Sequence, residues 1–115
     1  MDTVKLIEQF KILVRASHLD AKTAHDCIFD ENCSDEIALA YLNKAISEHC
    51  CCDSLYYSKF DELARYEYEE YSQQFETFSN EMLRNVRTNH SHQWTDIEFE
   101  RLNDIFENSA FTFEK

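Results

Sequence analysis

The pattern of apolar and polar positions is strongest between Ser58 and about Thr88. There Phe60, Ala64, Tyr68, Tyr71, Phe75, Phe78, Met82 and Val86 follow one another at steps of three and four. Those steps place all eight on one stripe of an α-helix. At 1.5 Å of rise per residue, an unbroken helix over this stretch would be roughly 45 Å long. Its opposite face carries Glu62, Glu69, Glu70 and Glu76, with Tyr66 and Gln73 between them. One face has to be covered by other helices; the other is an anionic ridge.

The rest of the chain supplies the cover. Residues 3–16 read as a first helix that buries Leu6, Ile7, Phe10, Leu13 and Val14 behind an Asp2 or Thr3 N-cap. His18-Leu19-Asp20 reads as a turn, with Asp20 capping a second helix whose small face is Ala21, Ala24, Cys27 and Ile28. These two helices are expected to pair as an antiparallel hairpin. After the polar segment 30–36, with Asn32 or Ser34 as N-cap, a third helix runs to about His49 on Ile37, Ala38, Tyr41, Leu42, Ala45 and Ile46. Asp35 and Glu36 suit its first turn, where the helix dipole favours negative charge. Cys50–Ser54 holds poor helix formers and is expected to break the pattern. Ser58 and Asp61 then resemble a capping box for the long helix, and Arg84 and Arg87 suit its C-terminal pole.

A polar connector, 88–93, precedes the sharpest local signature. Thr95 and Glu98 have the spacing of a capping box, and Trp94 and Phe99 that of a hydrophobic staple. The last helix runs to about Asn108 on Phe99, Leu102, Ile105 and Phe106, and the tail Ala110-Phe111-Thr112-Phe113 is expected to pack back on the bundle. The fold class is therefore all-α: one domain, an antiparallel bundle of four to five helices with one long helix around 58–88.

Composition sharpens this in two ways. The 115 residues include neither Gly nor Pro, which argues against the tight hairpins and phosphate-cradling loops that need positive φ. Acids outnumber bases 23 to 11, for a formal charge of −12. That balance disfavours direct nucleic-acid binding and an anionic membrane surface, both of which call for Lys and Arg. The charge is concentrated: residues 26–81 hold fourteen acids and three bases. Such a field attracts a cationic partner.

Five cysteines, Cys27, Cys33, Cys50, Cys51 and Cys52, are an odd set with three adjacent, and the N-terminus has no signal-peptide pattern. Reduced thiols in a cytoplasmic protein are the expectation. No apolar run reaches the ~18 residues of a membrane span. His49-Cys50-Cys51-Cys52 lacks the paired C-x₂₋₄-C spacing of a zinc site, and His90-Ser91-His92 reads as a solvated loop. No Glu is followed three residues later by His, which removes a di-iron bundle. No local pattern couples a Cys to a His as nucleophile and base. No metal, cofactor or enzymatic activity is therefore expected.

What remains is the ridge. Seven acids lie from Asp61 to Glu81 with only Arg65 to offset them, an arrangement that costs stability by like-charge repulsion. Tyr66 and Gln73 are interleaved with them, and Tyr is favoured at interface hot spots. The candidate partner-binding residues are Glu62, Tyr66, Glu69, Glu70, Gln73 and Glu76, helped by Asp30, Glu31, Asp35 and Glu36.

The segment from Leu6 to Asp35 resembles the opening of the colicin D-type immunity proteins: a short apolar helix, then Ala16, Ser17, Leu19 and Ala21 at a turn, Cys27 and Ile28 on a second helix, and an acidic stretch. The match covers about a quarter of the chain. It implies a cytoplasmic helical bundle that plugs the basic cleft of a toxin nuclease by standing in for RNA phosphates. The charge argument leads to the same expectation, an acidic inhibitor of a basic, nucleic-acid-binding protein. A phage-encoded anti-CRISPR or anti-restriction protein would use the same physics. A structural module pairing the aromatic stripe of Tyr68, Phe75 and Phe78 between chains is the alternative from another class.

Overall fold

A computed structural model describes residues 2–88 and 92–112. It contains five α-helices: α1 Thr3–Ile28, α2 Asp35–Ser58, α3 Phe60–Leu63, α4 Tyr68–Thr88 and α5 His92–Glu107, with a 3-10 turn at Ala64–Tyr66. The four long helices form the bundle. Rings and ion pairs fix their directions: Phe10 of α1 stacks near Tyr56 of α2 at 6.0 Å, and Lys44 of α2 lies 3.5 Å from Asp20 of α1. Further round, His49 of α2 stacks on Phe75 of α4, Phe78 of α4 meets Phe99 of α5, and His25 of α1 stacks on Phe99. Each helix therefore runs antiparallel to both neighbours, and the bundle measures 45 × 24 × 22 Å.

α1 is one helix because Leu6, Phe10, Val14, Ser17, Ala21, Ala24 and Cys27 keep a single buried stripe in phase from end to end. Asp2 caps it, accepting from the Val4 amide at 3.1 Å. The expected turn at His18-Leu19-Asp20 does not exist: the segment is mid-helix, and the predicted hairpin partner of α1 is its own second half. α2 likewise runs through Cys50–Ser54, since Ala38, Leu42, Ala45, His49, Cys52 and Tyr56 continue one stripe and their burial outweighs weak local propensity. Ser34 is its N-cap, as the sequence suggests, accepting from the Ile37 amide at 3.3 Å. Ile37 and Tyr41, expected inside, are exposed.

The predicted rod over 58–88 is broken. Ser58 closes α2 by donating to the Leu55 carbonyl instead of capping the next helix. Lys59 leaves helical geometry, and Glu67 adopts the left-handed conformation at φ 53. The reason lies in phase. Leu63 and Tyr68 are both fully buried, yet five residues along one helix would point them about 140° apart. Breaking the helix lets both face the core and leaves Phe60, expected inside, 45% exposed. With no Gly in the chain, Glu67 takes the left-handed position at a cost of about 1 kcal/mol.

α5 begins at His92, so Thr95 is not a cap. Thr95 is buried, and among the described residues its hydroxyl has no hydrogen-bond partner. Glu98 instead accepts from Gln74 Nε2 of α4 at 2.9 Å, and Trp94 is half-exposed rather than stapled. Residues 89–91, including His90, lie outside the described residues, as does Phe113. Phe111 does pack back: it is fully buried, edge-on to Phe10 at 5.6 Å. Arg15 of α1 holds it there, Nε donating to the Phe111 carbonyl at 2.7 Å and Nη2 to that of Thr112 at 3.3 Å.

Cys27 and Cys33 form a disulfide, with Cα atoms 5.5 Å apart, across the α1–α2 connection. The expectation of five reduced thiols is overturned at these two, and the cysteines no longer argue for a reducing compartment. Cys50, Cys51 and Cys52 are free. Among the described residues no helix is long and apolar enough to cross a membrane, and no three His, Cys, Asp or Glu side chains gather into a metal-holding group.

Candidate functional site

The ridge residues lie on α3 and α4 but not along one line: Glu62 is on α3, Glu69 reaches Tyr56 of α2, Glu70 edges a cleft with Asp104 of α5, and Glu76 edges a groove against α2. Glu62, Glu69, Glu70, Gln73 and Glu76 are all exposed. Among the described residues, none of these four glutamates has a Lys or Arg within 4 Å. Glu69 accepts a long hydrogen bond from Tyr56 at 3.4 Å. Arg65, the base that sequence sets among these acids, does not neutralise them: its guanidinium lies over the Tyr66 ring at 5.0 Å and donates to the Tyr66 hydroxyl at 2.8 Å. Lys11 Nζ lies 5.2 Å from the same ring. Tyr66 is therefore half-buried and held by two cations of its own chain; it does not stand free among the carboxylates.

Asp30, Glu31, Asp35 and Glu36 are exposed too, but elsewhere. They sit at the α1–α2 connection, while Glu62, Glu69 and Glu70 sit at the far end of α2, a helix about 36 Å long at 24 residues. The two acidic groups are at opposite ends of the bundle. Glu76, two turns into α4, lies between them. The aromatic stripe is consumed internally: Tyr68, Phe75 and Phe78 are each at most 1% exposed within this chain's own core.

Beside Glu76 the structure brings together residues that no local motif joins. His49, 6% exposed, stacks on Phe75 with ring centroids 4.1 Å apart. Its Nε2 lies 3.1 Å from Ser72 Oγ, and that hydroxyl donates to Asp53 Oδ1 at 2.8 Å. Tyr68 donates to the same oxygen at 2.5 Å. The serine proton therefore faces the carboxylate and the imidazole N–H faces the serine, an order that orients the hydroxyl rather than activating it. Burial holds His49 below the usual histidine range, although Asp53 and then Glu76 push it upward. Neutral imidazole leaves the Asp53 charge uncompensated. The legible signal was His49 falling in phase with Leu42, Ala45 and Cys52, with Asp53 one turn on.

This network edges a groove of about 330 Å³ between α2 and α4, floored by Ile46, Phe75 and Leu83 and rimmed by Asp53 and Glu76. A second cleft, of about 340 Å³, lies at the broken end between Tyr66, Glu67, Glu70 and Asp104. Deeper in, Cys52 is fully enclosed and burial pushes its thiol up to about 12, which makes it inert as a nucleophile. No protein-family model matches this chain, and comparison with curated proteins and with solved structures gives no match.

Proposed function

We propose that this protein is an acidic inhibitor, of the immunity-protein kind, that blocks the basic active-site cleft of a toxin nuclease in the cytoplasm. The observation that carries the reading is the ridge of Glu62, Glu69, Glu70 and Glu76: four exposed carboxylates on the α3–α4 side with no Lys or Arg of the described chain paired to them. Gathering unpaired like charges on one part of a surface is destabilising, and a cationic cleft relieves that repulsion on binding. The carboxylates occupy the cleft as substrate phosphates do, and exclude the substrate by charge and volume. Asp30, Glu31, Asp35 and Glu36, at the other end, serve long-range steering rather than the contact itself. Encounter is then fast and salt-sensitive.

The test starts from reading frames adjacent to the gene: one should encode a nuclease whose toxicity this chain suppresses. Replacing Glu62, Glu69, Glu70 and Glu76 together with Gln should slow association with that nuclease by about ten-fold or more and flatten its salt dependence. Undiminished on-rate and protection would reject the surface.

A further inference from the structure

The α2–α4 groove has a composition that selects its occupant. Its floor of Ile46, Phe75 and Leu83 is apolar, and its rim carries two carboxylates, Asp53 and Glu76. Neither has a Lys or Arg within 4 Å among the described residues; Asp53 meets only the Tyr68 and Ser72 hydroxyls and the His49 ring, 3.5 Å away. An anionic ligand would be repelled, and a wholly apolar one would leave both charges to be desolvated without compensation. The groove's 330 Å³ lies at the low end of the ~300–1,000 Å³ typical of sites for small molecules. A space of that size suits one extended side chain.

The geometry points to a socket for a single arginine side chain of the protein partner, its methylene stem on Ile46, Phe75 and Leu83 and its guanidinium between Asp53 and Glu76. This rests on the partner being cationic, as proposed above, and adds where its anchoring residue enters. Arginine suits the place better than lysine. A flat guanidinium can bond Glu76 through two N–H groups at once while a further N–H meets Asp53 Oδ2, since Asp53 Oδ1 already accepts from Tyr68 and Ser72. It can also lie along stacked rings such as His49 and Phe75. Asp53 is already aimed by two hydroxyl donors, so little orientational freedom remains to be lost on binding.

The test needs no partner. n-Butylguanidinium, titrated into the intact protein and followed through the ring resonances of His49 and Phe75, should give saturable shifts with a Kd on the order of millimolar. Guanidinium ion without the stem, and 1-butanol without the head, should each bind at least ten-fold more weakly. Nα-acetylarginine methylamide should match n-butylguanidinium, because a side-chain socket leaves the backbone outside. Glu76→Gln, an exposed substitution, should weaken the probe several-fold, and adding Asp53→Asn should abolish saturation. Equal binding of the stemless ion, indifference to both substitutions, or rejection of the acetylarginine amide would each overturn the socket. The last outcome would mark the groove as a site for a small free guanidinium compound. Since no nuclease is present, failure here leaves the ridge test standing; failure of the ridge test beside saturable probe binding would keep the guanidinium site and remove the protein partner as its source.

Discussion

Two histidines are built into the core in nearly the same way and end up with opposite prospects. His18 stacks on Phe106 with centroids 3.9 Å apart, and His49 stacks on Phe75 at 4.1 Å. Each ring also approaches a tyrosine hydroxyl: Tyr71 for His18, Tyr68 for His49. The difference is in the remaining partners. Nε2 of His18 meets the neutral Asn103 Oδ1 at 2.9 Å, with Nδ1 left to accept from Tyr71 at 3.0 Å. Burial holds this histidine to about 4, well under its ordinary 6.5. His49 instead reaches, through Ser72, a carboxylate at the rim of an open groove. Ring packing alone makes a histidine part of the core; what the second nitrogen finds decides whether it also touches solvent chemistry.

The sharpest way to break this comparison is truncation. His18→Ala removes a stacked ring from between α1, α4 and α5 and strands Tyr71 and Asn103, so it should cost about 3–4 kcal/mol in urea unfolding. His49→Ala should cost about 1–2 kcal/mol, because water can enter from the groove and bond to Ser72. Equal losses would mean that the two sites are sealed alike.

Next comes acid. With His18 held to about 4 in the folded chain against 6.5 unfolded, the unfolded state binds more protons between those values. Stability from this group is whole above pH 6.5 and falls as the pH drops toward 4, by about 3 kcal/mol in total. His18→Gln, less stable at neutral pH, should show a correspondingly shallower loss over that window when urea midpoints are measured against pH. A parallel slope would assign the acid sensitivity to other groups.

The smallest effect sharpens the other half. Asp53 is the leading influence raising His49 against its burial. Asp53→Asn should therefore lower the midpoint of the His49 ring titration followed by NMR and leave that of His18 where it is. A rise at His49, or a matching drop at His18, would contradict the network.

Which of these features the sequence disclosed depends on whether phase alone carries them. The core face of α4 was legible because Tyr68, Tyr71, Phe75, Phe78 and Met82 are large, regularly spaced and buried as spaced. The break before it was not, because Phe60 and Ala64 continue the same spacing and no Gly or Pro marks Glu67. In α1 the pattern held the answer: Val14, Ser17, Ala21 and Ala24 stay in register through His18, and only the polarity of His18 and Asp20 suggested a turn. Thr95 failed for the reverse reason. A correct capping motif was present, but the core claimed the threonine. The ridge was legible as charge, while its separation from Asp30–Glu36 required knowing that α1 and α2 are single helices. The His49 groove joins residues of two helices, and a pairing of that kind is set by packing, which a single sequence does not record.

Arg15 and Phe111 carry one more implication. By fastening the carbonyls of residues 111 and 112 to the first helix, the guanidinium closes an open chain into something nearer a loop, with the aromatic wedge as its clasp. Pulled from both ends, the molecule would load that clasp before any hairpin could peel away. A threading unfoldase approaching from the residue 112 side would have to break those two hydrogen bonds and draw out the buried Phe111 before it reached α5.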